Sequence, residues 1–215
     1  MQNVHKVYNL IILDESGSMQ SIKASVISGF NEIVQTIVGA EQQHSEQEHF
    51  ISLVSFNGLG IKTILDKEKP AQLKTLDANT YRPDASTPLY DAMGLAINHL
   101  RATIDPQTTH NVLVTVITDG EENASKEYTG KAIKALVEEL KQKQWTFTYI
   151  GANQDVEQVA KSLSIENKLA FNSNVEETRQ MFAQESAHRK VFYSRLASKK
   201  DVSKGYFDDE TDEKS

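Results

Sequence analysis

A chain of 215 residues that is 39% hydrophobic can build a sizeable core, and its length suits one domain better than two. It contains no cysteine, which excludes disulfides and thiolate chemistry, and its net charge of −7 argues against binding along a nucleic-acid backbone. There is no run of about 18 apolar residues and no signal-peptide core at the start, so a cytoplasmic protein without membrane contact is expected.

The first element is the apolar run Val7-Tyr8-Asn9-Leu10-Ile11-Ile12-Leu13, which reads as a buried strand. It empties into the polar loop Asp14-Glu15-Ser16-Gly17-Ser18. Alternation in an extended loop puts Asp14, Ser16 and Ser18 on one side, and hard oxygens gathered there suit a hard divalent cation. The same residues also read as a plain polar loop with Ser18 capping the next helix. Met19, Ile22, Val26, Phe30, Ile33, Ile37 and their neighbours then recur at helical spacing, ending near Gly39. A strand over 49–56, the turn signal Asn57-Gly58 and an alternating run over 61–65 predict a hairpin whose second strand is an antiparallel edge.

Residues 66–86 are polar, with Leu73 and Leu76 as the visible anchors and a short turn or helix expected over 71–76. Thr87-Pro88 opens the next helix, with Thr87 as N-cap and Pro88 at the first helical position. The β-branched run over 111–118 is expected of a strand covered on both faces, followed by the loop Asp119-Gly120-Glu121-Glu122-Asn123. Helices over 132–140, 156–163 and 175–196 and strands over 145–150 and 168–171 complete the pattern. A domain over 1–196 followed by a disordered acidic tail over 197–215 is expected. Strand–helix alternation makes the fold α/β: a doubly wound, mostly parallel sheet with one antiparallel edge strand and helices on both faces. Ligands of such sheets sit beyond the carboxyl ends of the strands, where both polar loops emerge.

Asp14-Glu15-Ser16-Gly17-Ser18, Thr87 within Ser86-Thr87-Pro88-Leu89, and Ile117-Thr118-Asp119-Gly120 resemble the three parts of a metal-ion-dependent adhesion site. That site defines von Willebrand factor A domains, integrin inserted domains among them, and the likeness covers nearly all of the folded chain. Ala85-Ser86 stand where many members have glycines, a departure that removes no ligand group. The resemblance implies a Rossmann-like fold and an Mg²⁺ ion (or Mn²⁺ or Ca²⁺) held by Asp14, Ser16, Ser18, Thr87 and Asp119. It implies direct coordination by Ser16 and Ser18, direct or water-mediated coordination by Thr87, and action largely through water, or as charged partners, by the two aspartates. It also implies a partner protein whose Asp or Glu completes the ion, and a last helix that shifts with the site. The weakly apolar middle of that helix predicts looser docking than for the first helix. The nearest likeness is to intracellular bacterial members that work as adaptors.

Plainer readings stand beside these. Thr87 caps a helix, Asp119-Gly120 makes a turn, Asp91 complements a helix N-terminus, and Glu121 and Glu122 are solvated. His44 and His49 are too far apart in a polar loop to share a helical face. No nucleotide-binding glycine motif and no hydrolase elbow is present, so a non-catalytic binding module is expected. A metal site serving stability alone, and a phosphoryl-transfer enzyme using Asp14, are the alternatives.

Overall fold

The computed structural model describes residues 4–73, 75–152 and 155–208. Strand β1 (His5–Asp14) is buried from Val7 onward, and its alternate residues enter two different cores. Val7, Ile11 and Leu13 face one side of the sheet; Tyr8, Leu10 and Ile12 face the other. A strand covered on both faces cannot alternate apolar with polar, which is why its sequence reads as one apolar run.

Five further strands join it: β2 (Gln47–Asn57), β3 (Gly60–Glu68), β4 (His110–Thr118), β5 (Trp145–Ala152) and β6 (Asn167–Phe171). The sheet order is β3-β2-β1-β4-β5-β6, parallel throughout except for the β2–β3 hairpin. Strand order reverses at β1, so the carboxyl ends of β1 and β4 border the switch point where such sheets bind ligands. Helices α1 (Lys23–Gln43) and α5 (Val175–Ala197) cover one face. Helices α2 (Leu89–Thr103), α3 (Gly130–Lys141) and α4 (Val156–Ser162) cover the other. The expected doubly wound sheet with one antiparallel edge is the fold.

Differences from expectation are local. A 3-10 turn over Gly17–Ile22 precedes α1, and α1 continues past Gly39, where nothing crowds the backbone, to Gln43. Only Pro70–Gln72 forms a 3-10 turn in the expected 71–76 region, and residue 74 lies outside the described residues. Tyr81, fully buried, anchors that connection beside Leu76. Pro88, rather than Thr87, is the N-cap of α2, and Leu89 is the first helical residue.

Two larger corrections concern the C-terminal end. The tail expected to be disordered from 197 packs instead: Val202 and Tyr206 are buried, Thr146 Oγ1 donates to the Val202 carbonyl, and Tyr206 N donates to Asn167 Oδ1. Its aromatic residues supply a reason to dock that the acidic terminus obscured; residues 209–215 lie outside the described residues. The middle of α5 is not loosely docked either. Glu185 and Arg189 are fully buried and joined by a 2.6 Å ion pair, and Arg189 also donates to Asn9 Oδ1 (3.0 Å) and Thr115 Oγ1 (2.8 Å) of the sheet. No described helix is long and apolar enough to cross a membrane.

Candidate metal centre

The loop after β1 is shaped by its own side chains. Asp14 Oδ1 accepts from the Ser16 amide at 2.7 Å, and the Tyr81 hydroxyl donates to the Asp14 carbonyl at 2.6 Å. Ser16 adopts an extended conformation as N-cap of the 3-10 turn, but its hydroxyl caps nothing and lies 3.1 Å from Ser18 Oγ. Asp14, Ser16 and Ser18 lie to one side, although not by simple alternation: Ser16 is extended, and the 3-10 turn that begins at Gly17 carries Ser18 back toward it. Glu15, between them, points the other way: Ser55 Oγ and the Arg82 amide donate to its carboxylate, and Lys62 Nζ lies 3.5 Å away. It ties the loop to the hairpin and contributes no oxygen to the site.

The carboxyl end of β4 brings the second set. Thr118 Oγ1 donates to Asp14 Oδ2 at 2.6 Å, Ser18 Oγ donates to Asp119 Oδ1, and Ser173 Oγ donates to Asp119 Oδ2 at 2.9 Å. Thr87 arrives from the third loop through a reciprocal pair with Asn123. The Thr87 amide donates to Asn123 Oδ1 at 2.9 Å, and the Asn123 amide donates to the Thr87 carbonyl at 3.2 Å. All three loops meet over Gly120. A Cβ placed there would lie 3.0 Å from Thr87 Oγ1, 3.6 Å from Ser18 Oγ and 3.8 Å from Asp14 Oδ2. One point on the loop after β4 thus has three ligand-type oxygens of the other two loops within 4 Å.

The electrostatics suit a cation. Asp14 has no exposed surface, Asp119 is nearly buried, and no cationic side chain among the described residues pairs with either. Burial lifts the Asp14 carboxyl from its ordinary value to about 6; the bonds from Thr118 and Ser16 oppose that rise, and nearby Asp119 adds to it. Two buried carboxylates without a counter-charge are costly, and a divalent ion between them would offset that cost. The described residues hold no group of three or more acidic or histidine side chains suited to a metal. The five residues that the resemblance names would offer two carboxylates and three hydroxyls, a hard, oxygen-only set of low charge that suits Mg²⁺.

The sequence matches the von Willebrand factor type A domain family over residues 10–200. The chain belongs to that family. Domains of the family generally mediate protein–protein interaction, often through a divalent ion. Among solved structures, this A domain is similar to a pilus adhesin, SpaC, from Lactobacillus rhamnosus GG in its open conformation. There the identity is 13%, the TM-score 0.63, and coverage 89% of this chain and 30% of that one. It is also similar to proximal thread matrix protein 1 from the mussel byssus (12% identity, TM-score 0.58, 86% of this chain and 46% of that one). A von Willebrand factor type A protein from Catenulispora acidiphila gives 15% identity and a TM-score of 0.50, covering 83% and 42%. The chain spans less than half the length of each of these structures, and at such identities they attest the fold alone. Curated proteins gave no match.

Several residues around the A-domain site escaped the sequence reading. Thr118 lay inside the recognised Thr-Asp-Gly stretch, but its bond to Asp14 needs the tertiary structure; Ser173 carried no signal. Glu122 is not solvated: it accepts from the Tyr90 and Ser125 amides and caps α2 from outside. Asp91 stands in the first turn of α2, as expected, and also accepts from the amides of Lys126, Glu127 and Tyr128, holding the following loop. His49 is buried edge-on against Tyr193 and His44 pairs with Glu46, so the two histidines serve packing and a surface contact.

Proposed function

We propose that this A domain is a non-catalytic, cytoplasmic adaptor module that binds a partner protein through a divalent cation, Mg²⁺ or its substitutes Mn²⁺ and Ca²⁺. The observation that carries the reading is the convergence of Thr87, Ser18 and Asp14 oxygens over Gly120, beside a carboxylate pair with no cationic partner among the described residues. Ser16, Ser18 and Thr87 would hold the ion with neutral hydroxyls, while Asp14 and Asp119 supply the negative field. When bound, such an ion offers an open position to one further carboxylate, which a partner's Asp or Glu would fill. Asp14 orients: Ser16 and Thr118 fix both of its oxygens. Asp119 holds Ser18 and Ser173 in register with it.

Occupied oxygens on a fully buried Asp14 also speak against its use as a phosphoryl nucleophile, which must reach an in-line phosphorus. Affinity capture in Mg²⁺ and in chelator, read by mass spectrometry, tests the reading. A stoichiometric protein retained in Mg²⁺, released by chelator and lost with Asp119→Ala is expected. Capture that persists for Asp119→Ala in excess chelator moves the binding surface elsewhere. Unchanged capture with lost thermal stability on chelation makes the ion structural. Phosphoester turnover abolished by Asp14→Asn would make the domain an enzyme.

A further inference from the structure

Four large apolar residues are well exposed among the described residues: Val4, Leu59, Leu95 and Val175. Single exposed aliphatic residues are ordinary, so exposure alone says nothing. Placement is what distinguishes two of them. Leu59, 74% exposed, tops the β2–β3 turn, and that turn leans on the loop that carries Thr87. A Cβ at Gly58 would collide with Ser86 Oγ and the Ser86 amide, so the turn lies flush against the residue before Thr87. Asn57 locks it: its side chain accepts from the Leu59 amide at 3.0 Å and donates to the Glu15 carbonyl at 3.2 Å.

Val175, 47% exposed, opens α5 two residues after Ser173, whose hydroxyl bonds Asp119. The β6–α5 turn holds it outward. Glu177 Oε2 accepts from the Asn172 amide at 2.9 Å, and Asn174 caps the Glu177 amide at 2.9 Å. The sheet order puts the hairpin on the β1 side of the metal centre and the β6–α5 turn on the β4 side. Both aliphatic residues are thus held on short, hydrogen-bonded turns, one on each flank of the oxygen cluster.

We infer that Leu59 and Val175 are apolar flanks of the cation site that select a partner segment carrying one carboxylate with apolar side chains on either side of it. The inference rests on the cation-bridge reading above. A low-charge cation site attracts any carboxylate, so discrimination must come from what borders it, and apolar contacts that form only once the carboxylate is seated provide it. Fixed turns lower the ordering cost of those contacts.

The test uses two blocked pentapeptides with a central glutamate, one with leucine at both ends and one with glycine in every other position. Each is titrated into the full chain in millimolar Mg²⁺ and in chelator. In Mg²⁺ the leucine peptide is expected to bind about tenfold tighter, a ratio that falls toward one in Leu59→Ser/Val175→Ser. Equal affinities in Mg²⁺, both lost in chelator, overturn the flanks and leave the cation bridge standing. A leucine preference that persists in chelator overturns the cation bridge and this inference with it. Absence of binding by either peptide in Mg²⁺ overturns docking of a linear segment on this rim.

Discussion

Gly120 occupies the point where the ligand oxygens converge, and that makes it the most economical probe of the site. Gly120→Ala would push a methyl to 3.0 Å from Thr87 Oγ1 and 3.6 Å from Ser18 Oγ, into the space a cation would use. Mg²⁺ affinity measured by calorimetry should drop at least about tenfold, equivalent to 1.4 kcal/mol, while the melting temperature in chelator changes little. The ligands themselves should rank by charge. Asp119→Ala removes one of two carboxylates and should weaken Mg²⁺ binding more than Ser16→Ala, which removes a neutral hydroxyl. Exposed Glu121, which forms no part of the oxygen cluster, should be near neutral when changed to alanine. A harsher effect of Ser16→Ala than of Asp119→Ala would contradict the assignment of charge to Asp14 and Asp119 alone.

At the scale of elements, the middle of α5 is held by a polar belt set between apolar anchors, Met181 and Phe182 before it and Phe192 after it. Asn9 and Thr115 interrupt the apolar rows of β1 and β4 on the face under α5, and Arg189 reaches both while pairing with Glu185. Tyr193 and Tyr206 hydroxyls close the belt on Asn9 Oδ1 and Glu185 Oε1. Removing one partner of a buried pair leaves an uncompensated charge. Arg189→Met should therefore cost roughly 3–5 kcal/mol of unfolding free energy in urea. Adding Glu185→Leu to it should restore much of that loss, since a matched apolar pair carries no stranded charge. In hydrogen exchange the Glu185–Arg189 region should be protected about as well as the middle of α1, contrary to what its small and charged sequence suggests. Fast exchange there would show that the belt does not hold the helix.

The molecule as a whole carries one buried histidine that ties its stability to pH. His49 has no exposed surface, packs at 4.6 Å on Tyr193, shares Nε2 with Gln47 Oε1, and has no described partner for Nδ1. Burial, with the Arg189 charge adding to it, lowers its pKa to about 3. The unfolded chain takes up that proton near pH 6.5 and the folded chain refuses it, so stability falls as pH drops from about 6.5 toward 3. Between pH 6.5 and 4.5 the difference between wild type and His49→Gln should shift by about 2–3 kcal/mol in urea unfolding, with the wild type losing more. Parallel pH profiles would mean that His49 is protonated in the folded state. Legibility in the sequence divides along the same physical line. Periodicity and turn chemistry are local, so they determined the order of strands and helices, the hairpin edge and the three loops that meet at the site. Asp14, Ser16 and Ser18 were readable because they share one short polar loop, although a 3-10 turn and not alternation aims Ser18. Tertiary structure alone decided which groups serve those residues: Thr118 and Ser173 on the carboxylates, Asn123 on Thr87, and Glu122 across the start of α2. It alone decided too that Arg189, Glu185 and Tyr206 lie inside, because a charged residue enters a core only when partners from distant strands surround it, and no local pattern encodes that meeting.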